Sequence, residues 1–331
     1  MSLYVDLYSK ARCGKVDAFK QLEALSDEGD RLASGYLAMI LHRSPIMIIP
    51  RDKPRAALLI ADLLPWLFEV EHDDGKDAPD IWYLLGFCFF EGIVVGKEKQ
   101  KKSIHYYQLA FEREHALAQC ALGNCYDVGD VVKQDLSRAV SYYKMSADQG
   151  FPVAQCNYSM CNEYGEGCEA NQAIAVEYAQ LAADQGYVDS LYTLSMYYFY
   201  GNGVHVDPVK ATHYCKEGAD QGDLECMYIL GDCYMRGYVV EQDKTKGIQL
   251  LLSGAERNHD LCQVYVANCF LSGHGLEKDV IEGVRYLRRL INGPTNDDNA
   301  EYPDNVNGEN SREEAKRLLI ETQEEYKEQV I

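Results

Sequence analysis

"LSMYYFYGNGVHVDPVKATHYCKEGADQG", residues 194–222, decides the fold. It closes on Asp220-Gln221-Gly222, and the same tripeptide stands at 148–150 and 184–186, a step of 36 residues each time. A fixed period of this size marks stacked supersecondary units. Other columns keep the step: Gly129, Gly165, Gly201, Gly237 and Gly273; Asp135, Asn171, Asp207, Asp243 and Asp279; and Tyr106, Tyr142, Tyr178, Tyr214 and Tyr286, with Leu250 in the missing place. The Asp/Asn column suits the N-cap of a second helix, because its side chain accepts from otherwise unpaired N–H groups. Pro208, directly after Asp207, suits the first helical position. The glycine column suits the end of a first helix, and the glycine of Asp-Gln-Gly ends the second. One unit therefore reads as helix A (about 187–200 here), a glycine loop, helix B (about 208–220) and a tight turn.

The pattern A-x-x-x-L-G-x-x-Y-x-x-G-x-G-V-x-x-D-x-x-K-A-x-x-Y resembles the Sel-1-like repeat family, a branch of the tetratricopeptide-like α/α solenoids. The best matches are 122–150 and 194–222. The resemblance covers about 79–292, six units, and implies an all-α superhelical solenoid of helix pairs. Asn162 departs from it at the helix A tyrosine, Glu114 and Asn258 where glycine belongs, and Lys99 where the capping Asp belongs.

The ends are less regular. "DKPRA" (52–56) matches a helix B start, so 30–71 reads as a further degenerate repeat, and 2–28 as two short helices forming an N-terminal cap. Residues 1–78 are thus expected to precede six repeats over 79–292. "GPTNDDNAEYPDNVNGEN" (293–310) has the composition of a flexible linker. Residues 311–331 hold a polar helix, with Ser311 and Glu314 forming a capping box. That helix either caps the last repeat, fills the groove or stands free.

The chain carries a formal charge of −20, which disfavours phosphate-backbone binding and favours neutral or basic partners. It lacks an apolar run long enough to span a membrane and a leader-like N-terminal order, so cytoplasm is the expected location. The 12 cysteines fall largely in columns: Cys88, Cys125, Cys161, Cys233 and Cys269; Cys120 and Cys156; Cys226 and Cys262. Packed helices lie about 8–10 Å apart, beyond the roughly 7 Å Cα reach of a disulfide. Column neighbours are therefore expected to be small buried hydrophobes, with no metal site and no cofactor.

Between Leu191 and Tyr200 stand four tyrosines, a phenylalanine, a methionine and two leucines, more apolar surface than one packing face needs. At 100° per residue, Leu191, Leu194, Ser195 and Tyr198 form the packing face, and Tyr192, Met196 and Phe199 a second stripe. The resemblance to tetratricopeptide arrays implies that this second stripe faces a concave groove. Its counterparts are Tyr83, Phe87 and Phe90; Cys120, Asn124 and Asp127; Cys156, Met160 and Glu163; Tyr228, Asp232 and Met235; and Val264, Asn268 and Leu271. Such a groove would bind a partner polypeptide with apolar anchors and basic neighbours. The alternative is that a tight superhelix or the returning C-terminal helix buries these residues.

Two loops complete the inventory: "RSPIMIIPR" (43–51), either a second contact or folded back on its helix, and the basic "KEKQKK" (97–102), read as solvated. His105, His115, His213 and His274 are scattered without a repeated partner set, and no nucleophile elbow, zinc-protease motif or phosphate loop occurs. "NYS" (157–159) is a nominal glycosylation site on a packed helix. The expected function is a non-enzymatic interaction scaffold or adaptor. The alternative is an architectural subunit permanently buried in a larger assembly.

Overall fold

A computed structural model of the chain describes residues 2–43, 49, 51–95, 98–292 and 306–329; most of the apolar loop 44–50 and of the 293–310 linker lies outside them. Every regular element among the described residues is a helix. Two irregular helices come first, α1 (Leu3–Arg12) and α2 (Val16–Asp27). The pair α3 (Arg31–Arg43) and α4 (Lys53–Glu69) occupies the stretch where a degenerate repeat is expected. Six A/B pairs follow: α5 (Ala78–Phe90) and α6 (Lys99–Glu112); α7 (Ala116–Val128) and α8 (Leu136–Asp148); α9 (Pro152–Tyr164) and α10 (Gln172–Asp184); α11 (Val188–Tyr200) and α12 (Pro208–Asp220); α13 (Leu224–Arg236) and α14 (Lys244–Glu256); α15 (Asp260–Ser272) and α16 (Val280–Asn292). Helix α17 (Val306–Gln329) is last. The chain divides into two compact units, Met1–Glu217 and Gly218–Ile331. Within each, consecutive helices pack as a helix-pair solenoid.

The helix ends obey the local chemistry expected of the columns. Asp135, Asn171, Asp207, Asp243 and Asp279 each accept a backbone N–H two or three residues on. Gly129, Gly165, Gly201, Gly237 and Gly273 all close helix A in the left-handed region, at φ between 69° and 78°. Glu114 and Asn258, which replace a glycine, hold positive φ as well, at 58° and 65°. Helix α6, where Lys99 replaces the capping Asp, starts without a side-chain cap.

Packing between helices is by matched volumes. A Cβ on Gly86 would come within 2.5 Å of the Tyr107 ring, one on Gly123 within 2.6 Å of Tyr143, and one on Gly231 within 2.8 Å of Leu251. Where serine takes the glycine place, at Ser159 and Ser195, the facing helix B register carries Ala179 and Cys215 instead of a large residue. From helix B to the next helix A the same rule holds with small residues on both sides. Gly218 and Gly254 meet Cys226 and Cys262, and earlier repeats place Ala110, Ser146 and Ala182 opposite Ala118, Ala154 and Ser190. Close packing leaves no other way to keep the helix spacing constant. The Gln of Asp-Gln-Gly stitches repeats together: Gln149 donates to the Glu114 carbonyl at 2.9 Å, and Gln185 to the Gly150 carbonyl at 3.0 Å.

All 12 cysteines are free thiols, and burial pushes several, including Cys88, Cys120 and Cys156, up to about 12. At neutral pH they stay protonated and unreactive.

One expected boundary needs correction. Helix α17 begins at Val306, so Ser311 lies inside it and is buried rather than capping. The reason is a shared face: Ser311 stands one turn before Ala315, which packs with Leu318 and Leu319 against Val264, Ala267, Leu287 and Leu290. Helix α17 thus rests on α15 and α16, covering the end of the last repeat.

Candidate functional site

The second stripe of the A helices divides by burial. In the first unit, Tyr83 and Phe87 are 7 % and 2 % exposed and belong to the core. The Tyr83 ring lies 6.3 Å from Tyr36, 5.7 Å from Tyr107 and 4.9 Å from His115. In the second unit Met235 is 1 % exposed, packed with Leu251 and Cys269. These three are core rather than open groove wall, as are Cys120, Cys156 and Val264 of the same stripe, a correction to the expected groove. Phe90, Asn124, Asp127, Met160, Glu163, Tyr192, Met196 and Phe199 are half-buried, as are Tyr228, Asp232 and Asn268 in the second unit.

The carboxylates of the stripe are already engaged. The Tyr143 hydroxyl, itself donating to Asn124 at 2.8 Å, reaches Asp127 at 3.1 Å. The Tyr197 hydroxyl donates to Glu163 at 2.7 Å, and Asp232 pairs with Arg236 at 2.6 Å. Burial lifts the Glu163 carboxyl above its usual range, with the Tyr197 hydrogen bond acting the other way. Each carboxylate keeps further acceptor capacity, since it can take about four hydrogen bonds.

Just beyond this stripe lies a second apolar column that the helical reading passed over. Val128, Tyr164 and Tyr200 immediately precede the helix-ending glycines, 36 residues apart, and are 69 %, 66 % and 69 % exposed. Their period was visible in the sequence; their exposure was not.

Helix α1 adds to the aromatic cluster around Tyr83. Its Tyr8 ring sits 5.8 Å from Tyr36, Tyr4 stacks on Tyr36 at 6.1 Å, and Ser2 donates to Asp80 at 2.9 Å. Val5, Leu7, Tyr8 and Ala11 join the core cluster that contains Tyr83, Tyr107 and Cys120. Cys13, just past its end, shares a cluster with Cys156, Ala182 and Tyr187, against which Met160 packs. The main packing of α1 is on α2 and α3.

Two of the eight histidines share a setting, where the sequence expectation had the histidines without a repeated partner. His115 and His259 stand at the same helix A entry, four periods of 36 apart, a spacing that could have revealed them. Each meets a carboxylate of the preceding helix A: Asp80 at 3.4 Å and Glu225 at 3.1 Å. His115 Nδ1 accepts from the Ala118 N–H, which leaves the proton on Nε2, facing Asp80. His259 Nδ1 lies 3.2 Å from Cys262 Sγ. This thiol–imidazole–carboxylate order resembles a nucleophile relay, but Cys262 is fully buried against Gly254, so no substrate reaches it. Among the described residues no group of three His, Cys, Asp or Glu side chains is placed to hold a metal ion.

Burial opposes charge on His259, yet its hydrogen bonds with Cys262 and Glu225 outweigh that and hold its pKa at about 10. A raised pKa means that the pair stabilises fully below the ordinary value near 6.5 and loses its effect as pH climbs through about 10. Melting temperature measured from pH 6 to 11 should therefore show wild type above Glu225→Gln at neutral pH, with the gap closing through pH 10. A pH-independent gap would contradict the assignment.

The Sel1 repeat family matches residues 83–115, 116–151, 152–187, 188–223, 224–259 and 261–293. Among solved structures, the chain is similar to c5321, a protective antigen present in uropathogenic Escherichia coli strains displaying an SLR fold. The TM-score is 0.62 at 23 % identity, covering 82 % of this chain and 55 % of that one, so the chain spans about half its length. It is also similar to a Sel1 repeat protein from Oxalobacter formigenes, with a TM-score of 0.61 at 24 % identity, covering 70 % of this chain and 94 % of that one. Both likenesses speak to the fold alone. No curated protein matches the chain.

Proposed function

The chain belongs to the Sel1 repeat family, and from that premise we propose that it is a non-enzymatic scaffold that holds a segment of another protein. The segment would carry apolar anchors flanked by Lys or Arg, and would lie along Met160, Tyr192, Met196 and Phe199, with Val128, Tyr164 and Tyr200 at the rim. The observation that carries this reading is the half-buried stripe Tyr192, Met196 and Phe199, two aromatic rings and a thioether, in a register that also carries the half-buried Glu163 and Asp127. Such side chains bury large area at modest entropic cost, which makes them favoured anchors. The acidic chain adds attraction for a basic partner. No helix of the described residues is long and apolar enough to cross a membrane, and a cytoplasmic site of action is part of the proposal.

The test is capture from native cell extract by wild type and by a Tyr192→Ala/Met196→Ala/Phe199→Ala triple variant of unchanged helical content. Proteins held by wild type should be lost by the variant, a drop of at least tenfold. An identical set held equally well by both would remove the reading. Met235, being core, has no place in this variant.

A further inference from the structure

The loops after α9 and α11 dock directly on the helix B before them. A Cβ on Gly167 would lie 2.3 Å from the Leu136 carbonyl oxygen, and one on Gly203 2.8 Å from that of Gln172. Each of these glycines stands two residues after the left-handed glycine that closes its helix A. After α5 the order differs. Val94 stands two residues after the left-handed Gly92, and a pocket of about 420 Å³, open on one side, lies between this loop and α4. Helix α4 lines it with Lys53, Ala57, Ile60, Ala61 and Leu64, opposite His42 and Ile93. The α4 positions share one face, and the stretch from Lys53 to Leu64 is about 16 Å long.

Only His42 and Lys53 give this lining polar side chains, and both are basic types. His42 is already engaged: its Nε2 lies 3.2 Å from Glu91, and its ring packs edge-on to Phe87. Burial, and then the charges of Arg43, Lys53 and Arg51, lower its pKa, so the ring is neutral at pH 7 while three cations act on it. The neighbouring carboxylates are taken. Glu91 pairs with Arg43, and Asp52 caps α4 by accepting the Arg55 N–H at 2.9 Å. Among the described residues Lys53 has no hydrogen-bond or ion-pair partner. An unpaired ammonium thus stands at one end of an apolar trough, in a chain of net charge −20.

We propose that this pocket binds an unbranched alkyl carboxylate, its head on Lys53 and its tail along Ala57, Ile60 and Ala61 toward Leu64. A carboxylate satisfies the ammonium with a charge-assisted hydrogen bond. The tail has to be hydrocarbon because the lining side chains offer a main chain almost nothing to bond. A peptide laid in the same place would bury N–H groups without acceptors, at a cost that an alkyl chain does not meet. The site shares no residue with the Tyr192, Met196 and Phe199 stripe, so it stands or falls apart from the scaffold reading.

Calorimetric titration of the full chain with sodium decanoate, kept below micelle formation at pH 7, tests it. Decanoate should bind saturably at one site. Octanoate should bind roughly tenfold more weakly, since each buried methylene is worth up to about fourfold. Decan-1-ol should also bind at least tenfold more weakly than decanoate, and Lys53→Gln should remove that preference while the melting temperature holds. Ala61→Trp, at an exposed position whose larger side chain fills the trough, should abolish binding of both. Absence of saturable decanoate binding would overturn the proposal, as would binding that Ala61→Trp leaves unchanged or equal affinity for acid and alcohol. Tighter binding of an acetylated peptide ending in Leu-Leu carboxylate than of decanoate would overturn it too, in favour of a polypeptide C-terminus.

Discussion

Asp80→Ala is expected to lower the unfolding free energy by about 3–5 kcal/mol, the range for removing one partner of a buried charged network. The carboxylate is nearly inaccessible and takes hydrogen bonds from the Tyr36 hydroxyl at 2.5 Å and the Ser2 hydroxyl at 2.9 Å, with His115 Nε2 at 3.4 Å. Its loss takes their shared acceptor from Tyr36 of α3, His115 at the start of α7 and Ser2 before α1, leaving Tyr36 and His115 only their 3.1 Å bond to each other. Burial works against the charged form, but donation from His115, Tyr36 and Ser2 prevails, and the Asp80 pKa lies below its ordinary value. A depressed pKa stabilises above the unfolded value, near 3.9, and the benefit disappears as pH falls through the lower folded value. Urea titrations at pH 7 and at pH 3 should therefore show the cost of Asp80→Asn shrinking with acid. A cost below 1 kcal/mol for Asp80→Ala at pH 7 would mean that the network is not what joins these helices.

Gly167→Ala is expected to cost about 3 kcal/mol, from a left-handed backbone penalty of 1–2 kcal/mol and a steric one of similar size. Gly167 sits at φ 73°, and a Cβ there would lie 2.3 Å from the carbonyl oxygen of Leu136, backbone of the preceding repeat's helix B. Ser137 donates to the Gly167 carbonyl at 3.1 Å, so loop and helix are held at that distance and cannot part cheaply. The same column carries Gly203 and Gly275, but Val239 in the second unit, a β-branched residue held at φ 65°. Val239→Gly should therefore stabilise by about 1 kcal/mol, relief of strain partly offset by the freer unfolded chain. Chemical denaturation of both variants measures the pair. Equal, small effects would show that the loop does not carry the contact between repeats.

Some of this protein was decided within each 36-residue unit. The A/B alternation, the Asp caps and the left-handed glycines depend on atoms a few residues apart, so the period in the chain carried them directly. Even the replacements, Glu114 and Asn258, took the conformation their column demanded, because the turn between B and A has no other closure. The face that Tyr192, Met196 and Phe199 share followed from helical geometry in the same way.

What required tertiary structure was every property set by residues far apart in sequence. Whether a column position is wall, core or open surface depends on what covers it, and Tyr83 is buried because Tyr36, Tyr107 and His115 pack against it. The volume matching of Gly123 with Tyr143, the reach of Gln149 to the Glu114 carbonyl, and the pairing of His115 with Asp80 likewise join separate helices. Ser311 looked like a cap because its neighbours in the chain permit one; contact with α15 and α16 made it part of an interface. Hydrogen bonding along the backbone is local and repeats with the chain, whereas burial is a property of the assembled stack.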